Sequence, residues 1–466
     1  MTSFGLEPPI SKTPGDIVAG DPSCRGKDKV LLGTLAETGP RRKLWLDITG
    51  EQVVAIFGKR GTGKSYSLGV IAEGLAAGMG DTAIATMHTP RAALVLDIMD
   101  IFWSTQIPLV DEGSAELRRQ FANMRKGGMK SQPLNVDVWI PSGFERPEID
   151  PASVRSLVIG ASDLETSDWG ALFDIDMLTE PRGMLLTDLI GRVSIYGYND
   201  RSGGSVSASL TFDFDALLNC LGGDPSFSVN YSDNTVRAVR QRLETFRDLP
   251  LFQGTPTDLS ALLQPFRVSV LMLGRAQDDL KNVVVSVLLR RILRQRRDAS
   301  FAQKRLDLQP ELSAEETQEL KATISSNIPR TWVLLDEAHV LAGSDRGSIA
   351  RDAFIKYAKE GRNYGLSLAL ATQQPSALDS RLTSQVETLI VHQLTAPKDA
   401  AVALENLRSP PPSEARVDGE RAGVDALLRS LTPGIVTFSC GNAPTLPRVC
   451  VAAVRPRVSA HGGYEA

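Results

Sequence analysis

The sequence has few cysteines and few histidines, four of each in 466 residues. The cysteines are Cys24, Cys220, Cys440 and Cys450, with no Cys-x-x-Cys pair and no histidine cluster nearby. This scarcity disfavours both a zinc site and a disulfide framework, and we expect a reduced cytosolic protein. Core packing on adjacent strands explains the two cysteines that lie close together in the sequence.

Long apolar runs and an excess of one charge are missing as well. No apolar stretch approaches the roughly 18 residues that a membrane span requires. Residues 1–21 lack the basic region and apolar run of a signal peptide. The 51 basic and 55 acidic residues give a net charge of −4, so any DNA-binding surface has to be local, such as a lined channel. We therefore expect a cytoplasmic protein that does not enter a membrane.

Short apolar runs alternate with helix-like segments along much of the chain. The runs are 53–57, 93–97, 267–273, 332–335, 366–371, 389–394 and 434–438. This alternation predicts an α/β fold with a mostly parallel sheet covered by helices on both faces.

A polar stretch broken by Pro and Gly interrupts this alternation, and it contains helical pieces such as Ser114–Met124 and Thr235–Phe246. Near the start of the chain, 29–33 and 43–48 predict two short strands around a turn at 38–40. The predicted organisation is an N-terminal arm with a small β element, a core in two pieces, an inserted, mainly helical subdomain and a C-terminal tail, at 1–50, 51–100 with 266–455, 101–265 and 456–466.

Residues 58–65 match the pattern G-x-x-x-x-G-K-[ST] at every position. A glycine-rich turn with a chance lysine is the alternative, but a strand-like run precedes the motif and a helix-like segment follows it. The pattern predicts ATP binding, with Lys64 on the β- and γ-phosphates and the Ser65 hydroxyl on Mg²⁺. The predicted nucleotide-binding residues are Gly58, Lys59, Arg60, Gly61, Thr62, Gly63, Lys64, Ser65 and Tyr66.

Two adjacent carboxylates, Asp336 and Glu337, follow the apolar run Trp332–Leu335. Solvated carboxylates at strand ends are common, but a strand ending this way beside a phosphate-binding loop is typical of a Walker B segment. We expect Asp336 to hold the Mg²⁺ shell and Glu337 to orient or deprotonate the attacking water. The adjacent Glu337 favours hydrolysis over nucleotide binding alone.

Polar side chains follow a further predicted strand. Gln373 is placed to sense the γ-phosphate, or else Thr372 and Gln373 cap the next helix, and the residue types leave both interpretations open. His339 contacts DNA or a neighbouring subunit, or is a packed core histidine.

Phosphoryl transfer also needs a cation that stabilises charge on the transferred group, and ring ATPases often supply it from the adjacent subunit. Arg362 is our first candidate, followed by Lys359, Arg351 and Arg60. The alternative is that Arg362 is one of many solvated surface arginines.

Two basic segments are candidates for contacts with DNA. Arg290–Arg297 has five arginines in eight residues, which fits a DNA channel or, equally, the exposed end of an amphipathic helix. Arg125–Lys130 is a basic, glycine-containing segment and a candidate pore loop.

The ordered set of motifs resembles the HerA-type ATPases, a branch of the HerA/FtsK group of ring translocases. The segments that carry the resemblance are 56–66, 334–339, 359–365, 371–379, 384–388 and 455–463. It implies a RecA-like P-loop core in a homo-hexameric ring with double-stranded DNA passing through the centre. It also implies the roles given above for the residues of the loop, the carboxylate pair and Gln373, and supports Arg362 as an interface arginine.

The resemblance further implies a separate partner protein, a nuclease or a sirtuin-like effector, in DNA end processing or anti-phage defence. The chain itself carries no recognisable nuclease constellation. Only about 50 residues precede the phosphate-binding loop, so the N-terminal β-barrel of the family is predicted to be reduced. The alternative function is an ATP-binding ring that acts as a scaffold or switch for an effector without translocating DNA.

Overall fold

The computed structural model describes most of the chain. The described residues are 4–7, 15–20, 26–36, 42–146, 148–200, 202–344, 348–407, 414–418, 420–440 and 449–463. They form two compact units, of which the first comprises Met1–Val138, Leu259–Gly274 and Ile292–Ala466, and the second comprises Trp139–Asp258 and Arg275–Arg291. The predicted turn at 38–40 and Cys24 lie outside the described residues.

The strands in chain order are β1 (Phe4–Glu7), β2 (Ile17–Ala19), β3 (Lys29–Leu35), β4 (Lys43–Asp47), β5 (Val53–Phe57), β6 (Gly80–Asp81), β7 (Ala85–Met87), β8 (Arg91–Asp97), β9 (Val136–Pro141), β10 (Val154–Leu157), β11 (Tyr198–Asn199), β12 (Ser205–Val206), β13 (Arg267–Met272), β14 (Arg330–Leu335), β15 (Leu366–Thr372), β16 (Thr388–Val391), β17 (Glu414–Val417), β18 (Glu420–Ala422), β19 (Ile435–Cys440) and β20 (Val449–Val454).

The α-helices are α1 (Lys64–Leu75), α2 (Ala115–Lys126), α3 (Thr166–Phe173), α4 (Pro181–Gly191), α5 (Phe214–Gly223), α6 (Ser226–Asn230), α7 (Asp233–Arg247), α8 (Leu259–Leu262), α9 (Asp278–Leu308), α10 (Ala314–Ser326), α11 (His339–Ala342), α12 (Ile349–Glu360), α13 (Ser380–Thr383), α14 (Pro397–Glu405) and α15 (Val424–Ser430). No described helix is long and apolar enough to cross a membrane.

Six parallel strands form the centre of the first unit, in the order β13-β8-β14-β15-β5-β16. Every residue of β5, β8 and β15 is buried, as expected for strands covered on both faces. The predicted α/β fold with a mostly parallel sheet is confirmed.

Antiparallel strands extend this sheet beyond β16, in the order β19-β20-β3-β4. The two N-terminal strands predicted from the sequence are therefore continuous with the core sheet. A side chain at Gly33 would meet the carbonyl oxygen of Ala453, so glycine permits the close approach of β3 to β20.

The second unit is mainly helical and packs around a cluster of aromatic rings. The cluster comprises Trp169, Phe173, Phe214, Phe246 and Phe252, with centroid separations from 5.2 to 6.4 Å. Such rings each bury a large apolar area and so contribute strongly to the core of a small helical unit.

The prediction placed residues 101–265 in the inserted subdomain and 456–466 in a tail, and the two compact units divide the chain at other positions. Residues 101–138 belong to the first unit. Their Leu109 and Met124 pack with Ile84, Val458 and Ala460 in one buried apolar cluster. These contacts place the segment after β20 inside the core as far as residue 460.

Candidate nucleotide-binding site

The carboxyl ends of the neighbouring strands β8, β14, β15, β5 and β16 meet at one edge of the sheet. The residues at or just after these ends are Asp97, Asp336, Gln373, Gly58 and His392. Ligands of open parallel sheets bind outside this edge.

The predicted phosphate-binding loop connects β5 to α1. Gly61 and Gly63 have φ angles of 76° and 103°, in the left-handed region that favours glycine. Gly63 is the N-cap of α1, so the helix begins at Lys64 with unpaired N–H groups that suit an anion. Lys64 is buried, and its Nζ donates to the carbonyl oxygen of Lys59 at 3.1 Å. Burial lowers the pKa of Lys64.

The other residues of the loop differ in exposure. Lys59 and Arg60 are exposed, whereas Thr62 is buried and its hydroxyl donates to the carbonyl oxygen of Lys59 at 2.8 Å. Tyr66 is half-buried, and its hydroxyl accepts the backbone N–H of Arg457 at 2.6 Å. The loop is therefore supported from within, and its outer residues face solvent.

His392 lies beneath this loop, a role that no local sequence pattern indicated. Its Nδ1 is 2.8 Å from the carbonyl oxygen of Thr62, and its Nε2 is 2.9 Å from Ser67 Oγ. A Cβ on Gly58 would lie 2.5 Å from Cβ of His392, so the loop passes directly over this side chain. Burial lowers the pKa of His392 to about 4, and the ring is neutral at physiological pH.

Asp336 is fully buried after β14. Burial raises its pKa to about 6, and a hydrogen bond from Ser65 partly offsets this shift. Its Oδ1 accepts the backbone N–H of Glu337 at 3.0 Å, and its Oδ2 has no partner within the described chain. Burial also raises the pKa of Asp97 to about 7, with a further contribution from the charge of Asp336. Two buried carboxyl groups thus lie where a bound cation would stabilise their charged forms.

Glu337 has a φ of 48°, which is strained for a residue with a side chain. Its Oε1 accepts a short hydrogen bond from the side-chain amide of Gln373. Its Oε2 lies 3.4 Å from His339 Nδ1 and has no hydrogen-bond partner among the residues described. The structure therefore brings Glu337 and Gln373 together, and His339 lies next to Glu337.

The oxygen atoms beside the loop fit Mg²⁺. This ion takes oxygen ligands, and it usually keeps several waters and binds only one or two protein groups. Asp336 offers a buried carboxylate oxygen with no partner in the described structure, and Ser65, which lines the same cleft, offers a hydroxyl. These are the two residues that the sequence predicted as metal ligands.

An open cleft of about 690 Å³ covers these residues. Its lining includes the loop, Asp336, Glu337, Gln373 and His392. A cleft of this size with a few convergent polar groups suits a nucleotide.

Arg362 does not line the cleft of its own chain. It lies in the short helix Gly361–Tyr364 just before β15 begins, at the amino edge of the sheet. Its side chain is 56% exposed and pairs with Glu387. An arginine at this edge is in reach of a nucleotide only if that nucleotide belongs to another subunit.

The other cation candidates lie in three different places. Arg60 lines the cleft, and Lys359 is exposed near Arg362. Arg351 is mostly buried, 3.1 Å from Asp352 and 3.7 Å from Asp379.

The arginines of the run 290–297 bind to protein groups. In the second unit, Arg290 pairs with Asp168, and Arg291 Nη2 donates to the carbonyl oxygen of Thr257 at 3.0 Å. In the first unit, Arg296 donates to two carbonyl oxygens, and Arg297 pairs with Glu360. These contacts support the structural interpretation of the run over the DNA-channel interpretation.

The basic segment 125–130 has a different environment. Arg125, Lys126 and Lys130 are exposed at and beyond the end of α2. The segment remains available for the predicted contact with DNA.

Comparison with known proteins supports the resemblance seen in the motifs. The profile of the family described as "Helicase HerA, central domain" matches residues 32–292. The DNA double-strand break repair helicase HerA of Pyrococcus furiosus is 22% identical over 388 residues, 82% of this chain and 63% of that protein. The protein of the same name from Sulfolobus acidocaldarius is 27% identical over 217 residues, 47% of this chain and 37% of that protein. The chain thus spans less than two thirds of the length of these relatives.

Among solved structures, VirB4 of Thermoanaerobacter pseudethanolicus matches with a TM-score of 0.50 at 14% sequence identity. The match covers 91% of this chain and 96% of that chain. At this identity the likeness concerns the fold, and it agrees with the α/β architecture described above.

Proposed function

The chain belongs to the family of the HerA helicase central domain, and we propose that it is a Mg²⁺-dependent ATPase that acts as a ring-shaped motor on double-stranded DNA. One observation carries the proposal. A buried carboxylate with an unpartnered oxygen, Asp336, lines the same cleft as the serine of a complete phosphate-binding loop, and a strained glutamate follows it.

In this proposal the loop binds the phosphates through its backbone N–H groups and Lys64, while Ser65 and Asp336 hold Mg²⁺. An ion held there would supply positive charge that offsets the charge of the phosphates. Glu337 accepts a proton from the attacking water or orients it. Gln373 holds the side chain of Glu337 and couples it to the end of β15.

Completion of the site requires a cation from a neighbour, and we assign this role to Arg362. Its position at the amino edge excludes action within its own chain, whereas head-to-tail subunits in a closed ring bring unlike edges together. Because the ion pair between Arg362 and Glu387 is exposed, breaking it costs little free energy. Hydrolysis at such an interface changes the relative positions of subunits, which is how a ring moves a polymer.

The DNA and partner assignments extend what the relatives' names say. Two relatives are called DNA double-strand break repair helicases, so we propose double-stranded DNA as the substrate of a homo-hexamer. We assign cleavage to a separate nuclease or sirtuin-like effector, in DNA end processing or anti-phage defence. The basic segment 125–130 is our candidate for the DNA contact.

The alternative, a ring that binds ATP as a scaffold or switch, predicts the same loop but no need for Glu337. ATP turnover by the purified protein, with and without linear double-stranded DNA, separates the two functions. The motor predicts turnover that rises with DNA and is lost in Glu337→Gln. Turnover indifferent to DNA favours the scaffold, and no turnover under any condition contradicts the ATPase assignment.

A further inference from the structure

The segment after β20 is built into the phosphate-binding helix. Arg455 Nη1 and Arg457 Nε donate to the two carboxylate oxygens of Glu73 at 2.7 and 3.1 Å. Glu73 lies in α1 and is completely buried, and it also accepts the backbone N–H groups of Val458 and Ser459, both at 3.0 Å. One carboxylate thus fixes four residues of the segment onto the helix that starts at the phosphate site.

The segment after β20 also packs closely against α1. A Cβ on Gly69 would lie 2.6 Å from Nη1 of Arg457, so the guanidinium occupies the space of a missing side chain. Arg457 Nη2 also donates to Thr105 Oγ1 at 2.7 Å. The segment is therefore a fixed wall and not a mobile tail.

His461 is held at the mouth of the nucleotide cleft. Its backbone N–H donates to Gln120 Oε1 at 2.9 Å, and Gln120 Nε2 donates back to its carbonyl oxygen at 3.0 Å. Its ring meets the ring of Tyr66 edge to face, with centroids 5.3 Å apart. Both rings line the cleft, together with Gly462 and Gly463. A Cβ on Gly462 would lie 2.9 Å from the carbonyl oxygen of Ile101, so glycine permits this close approach.

The sheet order separates the cleft into two sides. The groups proposed to bind Mg²⁺ and water, Asp336 and Gln373, follow β14 and β15 on one side of β5. The lining also includes Pro433, Gly434 and Val454, which adjoin β19 and β20 on the other side, and Met99 and Ile101, which follow β8 on the first side. The loop that would bind the phosphates ends at Tyr66, whose ring contacts His461, so the rest of a bound nucleotide lies within reach of the segment 455–463.

We propose that the segment 455–463 forms the base-binding wall of the nucleotide site, with His461 as the residue that contacts the base and Glu73 as the residue that positions it. This inference rests on the proposed function, because it needs a nucleotide in the cleft. The ligand class is the heteroaromatic base of a nucleoside triphosphate, stacked on or hydrogen-bonded to the imidazole.

The imidazole of His461 is suited to contact with an uncharged nucleobase. Its Nδ1 lies 3.2 Å from Nη1 of Arg457, a permanent donor, so Nδ1 accepts and the proton of the neutral ring resides on Nε2. Burial, with the nearby charge of Arg457, lowers the pKa of His461 to about 3. An uncharged ring gives no ionic contact to phosphate and instead offers an aromatic face and one N–H donor.

The test compares two ligands that share phosphates but differ in the base. Dissociation constants of ATP and inorganic tripolyphosphate are measured with Mg²⁺ for the wild type, His461→Ala and the exposed-histidine control His88→Ala. We expect His461→Ala to weaken ATP binding roughly fivefold to tenfold and to leave tripolyphosphate binding unchanged. His88→Ala should match the wild type for both ligands.

The other possible results of the binding test each contradict one part of the proposal. Equal ATP affinity in His461→Ala and the wild type overturns the base contact. Equal weakening of ATP and tripolyphosphate also overturns it and makes His461 a support for the loop. A wild type that binds neither ligand contradicts the proposed function itself.

The positioning role of Glu73 has its own control. Glu73→Gln is compared with Asp28→Asn, which breaks another buried Arg–carboxylate pair, that with Arg91, away from the cleft. Both variants are expected to lose stability, but only Glu73→Gln should lower the ratio of ATP affinity to tripolyphosphate affinity. An unchanged ratio in Glu73→Gln, or an equal change in Asp28→Asn, overturns the positioning role.

Discussion

The two edges of the parallel sheet hold their charged side chains in opposite ways. At the carboxyl edge, Asp336 and Glu337 are buried, and each has an oxygen without a hydrogen-bond partner in the described structure. At the amino edge, Arg330 pairs with Glu51 at 3.1 Å, and Arg362 pairs with Glu387. The unpartnered oxygens of Asp336 and Glu337 lie in the nucleotide cleft, whereas Arg330 and Arg362 are ion-paired and partly exposed at the opposite edge.

This difference indicates where the fold requires a ligand. Buried polar atoms are nearly always paired, so two unpartnered carboxylate oxygens that line the same cleft suit a bound group that completes them. Exposed ion pairs contribute little to stability and exchange partners easily. The amino edge is therefore suited to releasing an arginine toward a neighbouring subunit, and the carboxyl edge to receiving it.

The largest expected effect is at the carboxyl edge. Glu337→Gln should lower ATP turnover by up to about 10⁴-fold, because the amide cannot accept a proton from the attacking water. ATP binding should persist, since the phosphate-binding loop is unchanged. Single-turnover hydrolysis and equilibrium ATP binding measure the two quantities, and parallel losses in both would contradict the separation of roles.

The next largest effect on ATP turnover is expected for a substitution at the amino edge. Arg362→Ala should lower turnover on the order of 10³-fold in the assembled ring and change ATP affinity little, because the arginine stabilises charge during transfer. Arg297→Ala is a matched control that removes another exposed arginine paired with a glutamate. Full activity in Arg362→Ala would make it a surface residue and return attention to Lys359, Arg351 and Arg60.

A stability measurement sharpens the comparison further. Asp336→Asn should stabilise the nucleotide-free and Mg²⁺-free protein by about 1–3 kcal/mol at pH 8, because it removes a buried, unpaired charge. Urea denaturation of the two proteins gives the difference in free energy of unfolding. A destabilised variant would show that Asp336 is satisfied without a ligand.

The smallest effect is expected for an ion pair at the amino edge. Arg330→Ala should cost about 1 kcal/mol or less, because the Arg330 side chain is 44% exposed and solvent screens its pair with the more buried Glu51. The same urea assay applies. If Arg330→Ala lowered the free energy of unfolding by more than the loss of a typical buried ion pair does, the proposed difference between the two edges would be contradicted.

Local sequence was sufficient for the phosphate-binding loop and for the strands on either side of it. The glycines of the loop and the apolar run Val53–Phe57 are adjacent in the chain, and so are Trp332–Leu335 and its two carboxylates. The α/β fold follows from the same alternation, and it is confirmed. The assigned roles of these residues stay predictions.

Contacts between distant parts of the chain could not be predicted in this way. His392 supports the loop from 330 residues beyond its partner Thr62, and nothing near it in the sequence indicates that contact. The segment after β20 is polar and glycine-containing, which is typical of a tail, yet Arg455 and Arg457 are buried. Both pair with Glu73, and carbonyl and hydroxyl oxygens accept their remaining N–H groups. Burial of charge depends on a partner that only the fold supplies.

The central claim is that a site at the carboxyl edge of one subunit is completed by an arginine from the amino edge of the next. The most direct measurement mixes Lys64→Ala with Arg362→Ala, each inactive alone, and follows ATP turnover after subunit exchange. In a randomly mixed ring about a quarter of the interfaces unite an intact loop with an intact arginine. The account predicts turnover approaching that fraction of the wild type, and mixed rings that stay as inactive as the single variants would contradict it.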